Sequence, residues 1–208
     1  MTTEACKLPA WFGKLPGMGD FAHRRMGESF RAAWDEWLQH GLAQLRARHA
    51  DWTERYLAGP LWFFVLAEDV VDAARWTGVL MPSVDAVGRY FPFAVLTGMS
   101  YGANLQRWWE LAAQAALEGL ERDLDAMQFE AALQRVFGSG ETSGEDPGDN
   151  AGESPWLPLP MAGESLWLTH PQGNEGWRMV VAGLPVEAQF DALFGFEAAG
   201  AAQQVLPS

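Results

Sequence analysis

Between Pro60 and Glu68 the chain carries seven consecutive apolar residues, Leu61-Trp62-Phe63-Phe64-Val65-Leu66-Ala67. A bilayer span needs about 20 apolar residues, so this run belongs inside a protein. It is rich in aromatic and β-branched side chains and does not alternate with polar ones. A strand of that kind requires hydrogen-bonded neighbours at its edges and packed material on both faces. Two further strands are expected at Trp76–Met81 and Tyr90–Thr97, joined by Pro82-Ser83-Val84-Asp85-Ala86-Val87-Gly88-Arg89. A parallel crossover takes a dozen or more residues, so this pair should be antiparallel. Leu166–Thr169 and Trp177–Val181 read as two more strands.

The remaining segments supply the cover. From about Ser29, Phe30, Trp34, Trp37, Leu38, Leu42 and Leu45 recur at helical spacing, with Arg31, Asp35, Glu36 and Gln39 on the opposite face. Asp51-Trp52-Thr53-Glu54 has the form of a capping box, opening a short helix that Gly59-Pro60 would end. Asn104–Gly119, Leu124–Phe137 and Val186–Phe194 are the other expected helices. Ahead of them, a short strand near Trp11 leads into a glycine-dependent loop. Residues 138–160 hold five Gly and four Pro among scattered acids, which predicts a flexible acidic loop within a single domain over residues 1–208. Helices on both sides of a doubly buried strand suggest an α/β fold: a three-layer α/β/α sandwich with a mixed, largely antiparallel sheet.

Charge narrows the function classes. The formal net charge is −13, yet residues 1–100 carry 10 basic against 11 acidic side chains, while residues 101–208 carry 4 against 16. No basic stripe exists to displace counterions from a nucleic acid, and none forms a polybasic membrane patch, so neither nucleic acid nor membrane insertion is expected. The single Cys6 cannot form an internal disulfide, and the first residues lack the pattern of a secretory signal; a cytoplasmic location is the expectation. Most of the 11 Trp are expected in the core. Trp108 and Trp109 cannot both face it from one helix, which leaves one of them as a surface candidate.

Catalytic motifs are scarce. His23, His40, His49 and His170 lack metal-ligand spacing. Gly13-Lys14 is followed by Leu15 where a phosphate loop needs Ser or Thr, and Gly17-Met18-Gly19 lacks the third glycine of a dinucleotide turn. There is no nucleophile elbow, and no cofactor is expected. Two polar constellations remain. Lys14 and Asp20 lie in the first Gly/Pro loop with Gly19, and Asp85 and Arg89 lie in the loop between two core strands. Structural locking of the turns is the default reading. Recognition of a partner and acid–base work by converging Asp20 and Asp85 are the alternatives.

These segments resemble the TagF/ImpM family of type VI secretion accessory proteins. The resemblance rests on Phe12-Gly13-Lys14-Leu15-Pro16 with Gly19-Asp20-Phe21, on Ser29-Phe30 with Trp34-Asp35-Glu36-Trp37-Leu38, and on Pro60-Leu61-Trp62. Its longest piece is Gly78-Val79-Leu80-Met81-Pro82-Ser83-Val84-Asp85-Ala86-Val87-Gly88-Arg89-Tyr90-Phe91-Pro92. Together these cover most of residues 11–97, whereas the second half matches only through Ser165-Leu166-Trp167 and Gly183-Leu184-Pro185. The resemblance implies a non-enzymatic cytoplasmic α/β/α protein that regulates secretion assembly or firing after translation, typically as a repressor. In some systems the implied partner is a forkhead-associated scaffold protein. Some relatives carry a fused phosphatase domain; in 208 residues none is expected here, so any part in a phosphorylation switch would come through binding. Lys14, Gly19, Asp20, Asp85 and Arg89 are the candidate interaction or loop-defining residues. The rival readings are a hydrolase using Asp20 or Asp85 and a fixed structural subunit of the apparatus.

Overall fold

The computed structural model describes residues 8–99, 104–138, 157–172 and 176–196. The apolar run forms β3 (Trp62–Leu66), buried along its whole length. It pairs antiparallel with β4 (Trp76–Met81), Phe64 opposite Gly78, and on its other edge with β6 (Glu164–Leu168), Phe64 opposite Trp167. β5 (Phe93–Gly98) follows β4 antiparallel, Val95 opposite Val79, as the short connection requires. β1 (Ala10–Lys14) then pairs with β5, β2 (Phe21–Arg24) with β1, and β7 (Arg178–Ala182) with β6. The result is one seven-stranded sheet in the order β2-β1-β5-β4-β3-β6-β7, in which every pairing is antiparallel.

This corrects the expected three-layer α/β/α sandwich with a mixed, largely antiparallel sheet. A parallel pair requires strands alternating with crossover helices. Here β3, β4 and β5 run on through short loops, and the helices come in groups between sets of strands. Among the described residues the seven-stranded antiparallel sheet dominates the architecture, with five helices packed on it. Alternation along the strands divides the core in two. Trp11, Phe63, Val65, Val79, Phe93 and Val95 face α3 (Leu105–Glu121) and α4 (Ala126–Gly138). Phe12, Trp62, Phe64, Leu66, Leu80 and Leu96 face α1 (Glu28–Arg48), α2 (Trp52–Leu57) and α5 (Ala188–Leu193).

Several local expectations change as well. Phe21–Arg24 is a strand and not a continuation of the loop, because β1 offers it a free edge. The strand expected from Tyr90 begins at Phe93, and Tyr90 instead closes an isolated bridge with Val84. Asp51 stands at the N-cap of α2 without capping it; its carboxylate accepts from Arg55 Nε at 2.8 Å. Trp109 is fully buried and donates to Thr77 Oγ1 at 2.8 Å, while Trp108 is half-buried against Phe137. Among the described residues the conspicuously exposed tryptophan is Trp177, at 42 %. Cys6 and most of the acidic 138–160 segment lie outside the described residues.

Candidate functional site

The first loop is built by close approach. Gly13 has φ +129°, and a Cβ there would stand 2.1 Å from the Pro92 carbonyl oxygen, so only glycine lets β1 end against the start of β5. Gly17 packs equally tightly, since its Cβ would fall 2.3 Å from the Asp123 carbonyl oxygen at the turn between α3 and α4. The chain then returns through Gly19 and Asp20 into β2. The second loop, 82–92, folds back on itself: Gly88 N–H donates to Asp85 C=O at 3.0 Å, Asp85 N–H to Arg89 C=O at 3.1 Å, and Phe91 N–H to Ser83 C=O at 3.1 Å.

Asp85 joins the two loops. It is 4 % exposed and Lys14 is 3 % exposed, and the Lys14 ammonium donates to Asp85 Oδ2 in a buried ion pair. The same oxygen accepts from Arg89 Nε at 2.7 Å, while Oδ1 accepts the backbone N–H of Arg89 at 2.8 Å and of Val87 at 3.1 Å. Burial alone would raise the Asp85 pKa. The Lys14 ammonium, the Arg89 N–H and guanidinium and the Val87 N–H outweigh it and hold the carboxyl well below the usual carboxylate range. Arg89 also reaches across to donate to the Gly19 carbonyl, and Ala86 N–H donates to Met18 C=O at 2.9 Å.

Lys14, Gly19, Asp85 and Arg89 therefore converge, although they come from loops some 70 positions apart. Asp20 does not join them through its side chain. It is exposed, and Oδ1 accepts the N–H of Phe21 at 2.8 Å. No hydrogen bond among the described residues links Asp20 to Asp85, whose ion pairs are with Lys14 and Arg89.

Sequence reasoning missed the rest of this network. Ser83 Oγ donates to the Lys14 carbonyl at 2.7 Å, and Ser83 N–H donates to Tyr56 Oη at 3.0 Å. Tyr56 Oη in turn donates to Ser83 C=O at 3.1 Å, and burial pushes this phenol above its ordinary pKa. The available signal was a lone tyrosine on the short amphipathic helix before Gly59-Pro60. A second cluster was also missed. Buried Asp191 of α5 accepts from Arg48 Nε at 2.8 Å and Arg48 Nη2 at 2.6 Å, and its Oδ2 lies 3.0 Å from His49 Nε2. These pairings span more than 140 positions and leave no local pattern to read.

Beside the Lys14–Asp85–Arg89 cluster lies an open groove of about 570 Å³, bordered by Phe21, Arg46, Trp52, Arg89 and Tyr90. The Arg46 guanidinium stacks over Trp52 at 4.5 Å, and the Lys14 ammonium sits 4.7 Å from the centre of the Phe21 ring. Among the described residues no group of three or more His, Cys, Asp or Glu could hold a metal ion, and no helix is long and apolar enough to cross a membrane.

Residues 10–136, which contain every member of the ionic cluster, match the family model described as the TagF N-terminal domain, type VI secretion system-associated. Among solved structures, PA0076 from Pseudomonas aeruginosa PAO1 is similar over 96 % of this chain and 99 % of its own, with 25 % identity and a TM-score of 0.71. No curated protein matches the sequence. The family match spans more than half of the chain, and the chain therefore belongs to the TagF family of type VI secretion system-associated proteins.

Proposed function

We propose that this protein regulates type VI secretion after translation, as a repressor of assembly or firing, and that it works by protein binding and not by catalysis. The carrying observation is the state of Asp85. A general base needs a free lone pair and a pKa near the working pH. Asp85 accepts from two side chains and two backbone N–H groups and is held ionised, which suits it to fixing two loops in one arrangement. Loops fixed in advance lose little ordering entropy when a partner docks on them. The candidate partner, carried over from the family resemblance, is a forkhead-associated scaffold protein.

The test is affinity capture of the tagged full chain from its own host, read by mass spectrometry, together with secretion output in a strain lacking the gene. A secretion component should be recovered, its recovery should fall with Arg89→Ala, and secretion should rise in the deletion strain. Recovery of no component overturns the reading. Turnover of a phosphatase or esterase substrate that is lost in Asp20→Asn or in Asp85→Asn would assign the protein to the hydrolases instead. Co-sedimentation of the whole cellular pool with the assembled apparatus would make it a fixed subunit.

A further inference from the structure

We propose that the groove beside the ionic cluster is the docking site for an acidic segment of a partner protein, a stretch in which Asp or Glu stands next to a large apolar side chain. This rests on the binding reading above and gives that binding a place and a chemistry.

The charges around the groove do not balance. Lys14, Arg46 and Arg89 all border it, and no carboxylate does among the described residues. Behind them, Asp85 is shared between Lys14 and Arg89, so one anion serves two cations. Arg46 has no carboxylate partner among the described residues. Its contacts are the face of Trp52 and a 3.3 Å hydrogen bond to the Tyr90 carbonyl, which leave guanidinium N–H groups free to pair with an incoming anion. Both Arg46 and Arg89 are exposed. The excess of positive charge sits on a molecule of net charge −13, and within the half that is nearly neutral. The groove thus offers an acidic segment a favourable place to land.

The apolar part of the ligand follows from the groove's flanks. Phe21 is 44 % exposed and stands edge-on to Phe91 at 4.6 Å, while Trp52 and Tyr90 are half-buried and meet edge-to-face at 5.3 Å. Aromatic surfaces next to arginines are the composition of interface hot spots. A volume of about 570 Å³ takes several side chains of an extended peptide. Lys14 and Asp85 tie Phe21 and Arg89 to the same base, so the aromatic and cationic contacts are held in a fixed relation.

The experiment is selection of random phage-displayed dodecapeptides on the immobilised full chain, followed by fluorescence polarisation with the best peptide. Enrichment of Asp or Glu beside Leu, Phe or Trp is expected. Arg46→Glu should weaken binding about tenfold, the scale of one lost charge-assisted hydrogen bond, and should turn selection towards basic peptides. Arg46→Gln should give a smaller loss without that reversal. Circular dichroism and urea midpoints on both variants separate lost binding from lost fold.

Selection without acidic enrichment, or equal binding by Arg46→Glu, overturns the proposal. So does binding that appears only when a phosphothreonine replaces the acid, which would assign the groove to phosphopeptides. A dimer dissolved by Arg46→Glu would assign it to a second copy of the chain. If a secretion component is captured equally by wild type and Arg46→Glu, the regulatory reading stands and the groove falls. If peptides select as expected but the host yields no component, the groove stands and the regulatory reading falls.

Discussion

At the residue scale the molecule turns on one carboxylate. Removing Asp85 leaves the Lys14 ammonium buried with no anion, and breaking a buried pair in this way costs about 3–5 kcal/mol. Removing the Arg89 guanidinium is a different matter. Its side chain is 54 % exposed, and Asp85 keeps Lys14 and both backbone donors. Asp85→Ala should therefore lower the unfolding free energy by about 3–5 kcal/mol, and Arg89→Ala by no more than about 1 kcal/mol. Urea denaturation of the two variants checks this; equal losses would mean that Arg89 and not Lys14 is the main counterion. The pairing of Asp85 with Arg89 was readable, because four positions in a tight loop bring the two groups together. Its pairing with Lys14 was not, because nothing local connects positions 14 and 85.

At the element scale, the placement of β1 decides where the site forms. β1 runs beside β5, and its last residue, Lys14, enters the ionic cluster. That approach depends on Gly13, at φ +129° against the Pro92 carbonyl. Gly13→Ala adds backbone strain to a steric clash and should cost at least about 2 kcal/mol, read as a lower urea midpoint. An alanine variant of wild-type stability would show that β1 can shift along β5 without loss. On the sheet face covered by α1, Asp191 with Arg48 and His49 joins α5 to the C-terminal end of α1. The carbonyls of Pro185, just before α5, and of Leu193, its last residue, accept from the indole N–H groups of Trp37 and Trp62. Trp37 and Trp62 thus fill the core and also satisfy buried backbone acceptors, a second role that composition cannot display.

At the scale of the whole molecule, the buried carboxylate sets a response to acid. The Asp85 pKa is depressed in the fold, so its stabilisation is fully present above the unfolded value of about 3.9 and is lost as pH falls below it. Glu118, held by Arg135 and Arg122, and Glu130, held by Arg25 and Trp11 against its own burial, shift in the same direction. Stability should be level near neutrality and fall below about pH 4. Asp85→Asn should show a shallower fall there, measured as urea midpoints across the acid range. An acid limb equally steep in the variant would remove Asp85 as a contributor.

Local patterns in the chain specify most of the elements and the residues that chemistry would draw on. The apolar run at 61–67 had to be an interior strand, the helical spacing from Phe30 to Leu45 had to be an amphipathic helix, and two loops had to carry polar groups. Each of these follows from periodicity or a turn signal within some twenty residues. The tertiary structure decided what those elements do to one another. It made every strand pairing among the described residues antiparallel where a mixed, largely antiparallel sheet had been expected, set β1 against β5, and drew Phe21–Arg24 into the sheet. It also joined Lys14 to Asp85 while leaving Asp20 in solvent. The pairing of β1 with β5 and of Lys14 with Asp85 depends on loop closure and burial across 70 or more positions, and local propensity carries no record of it.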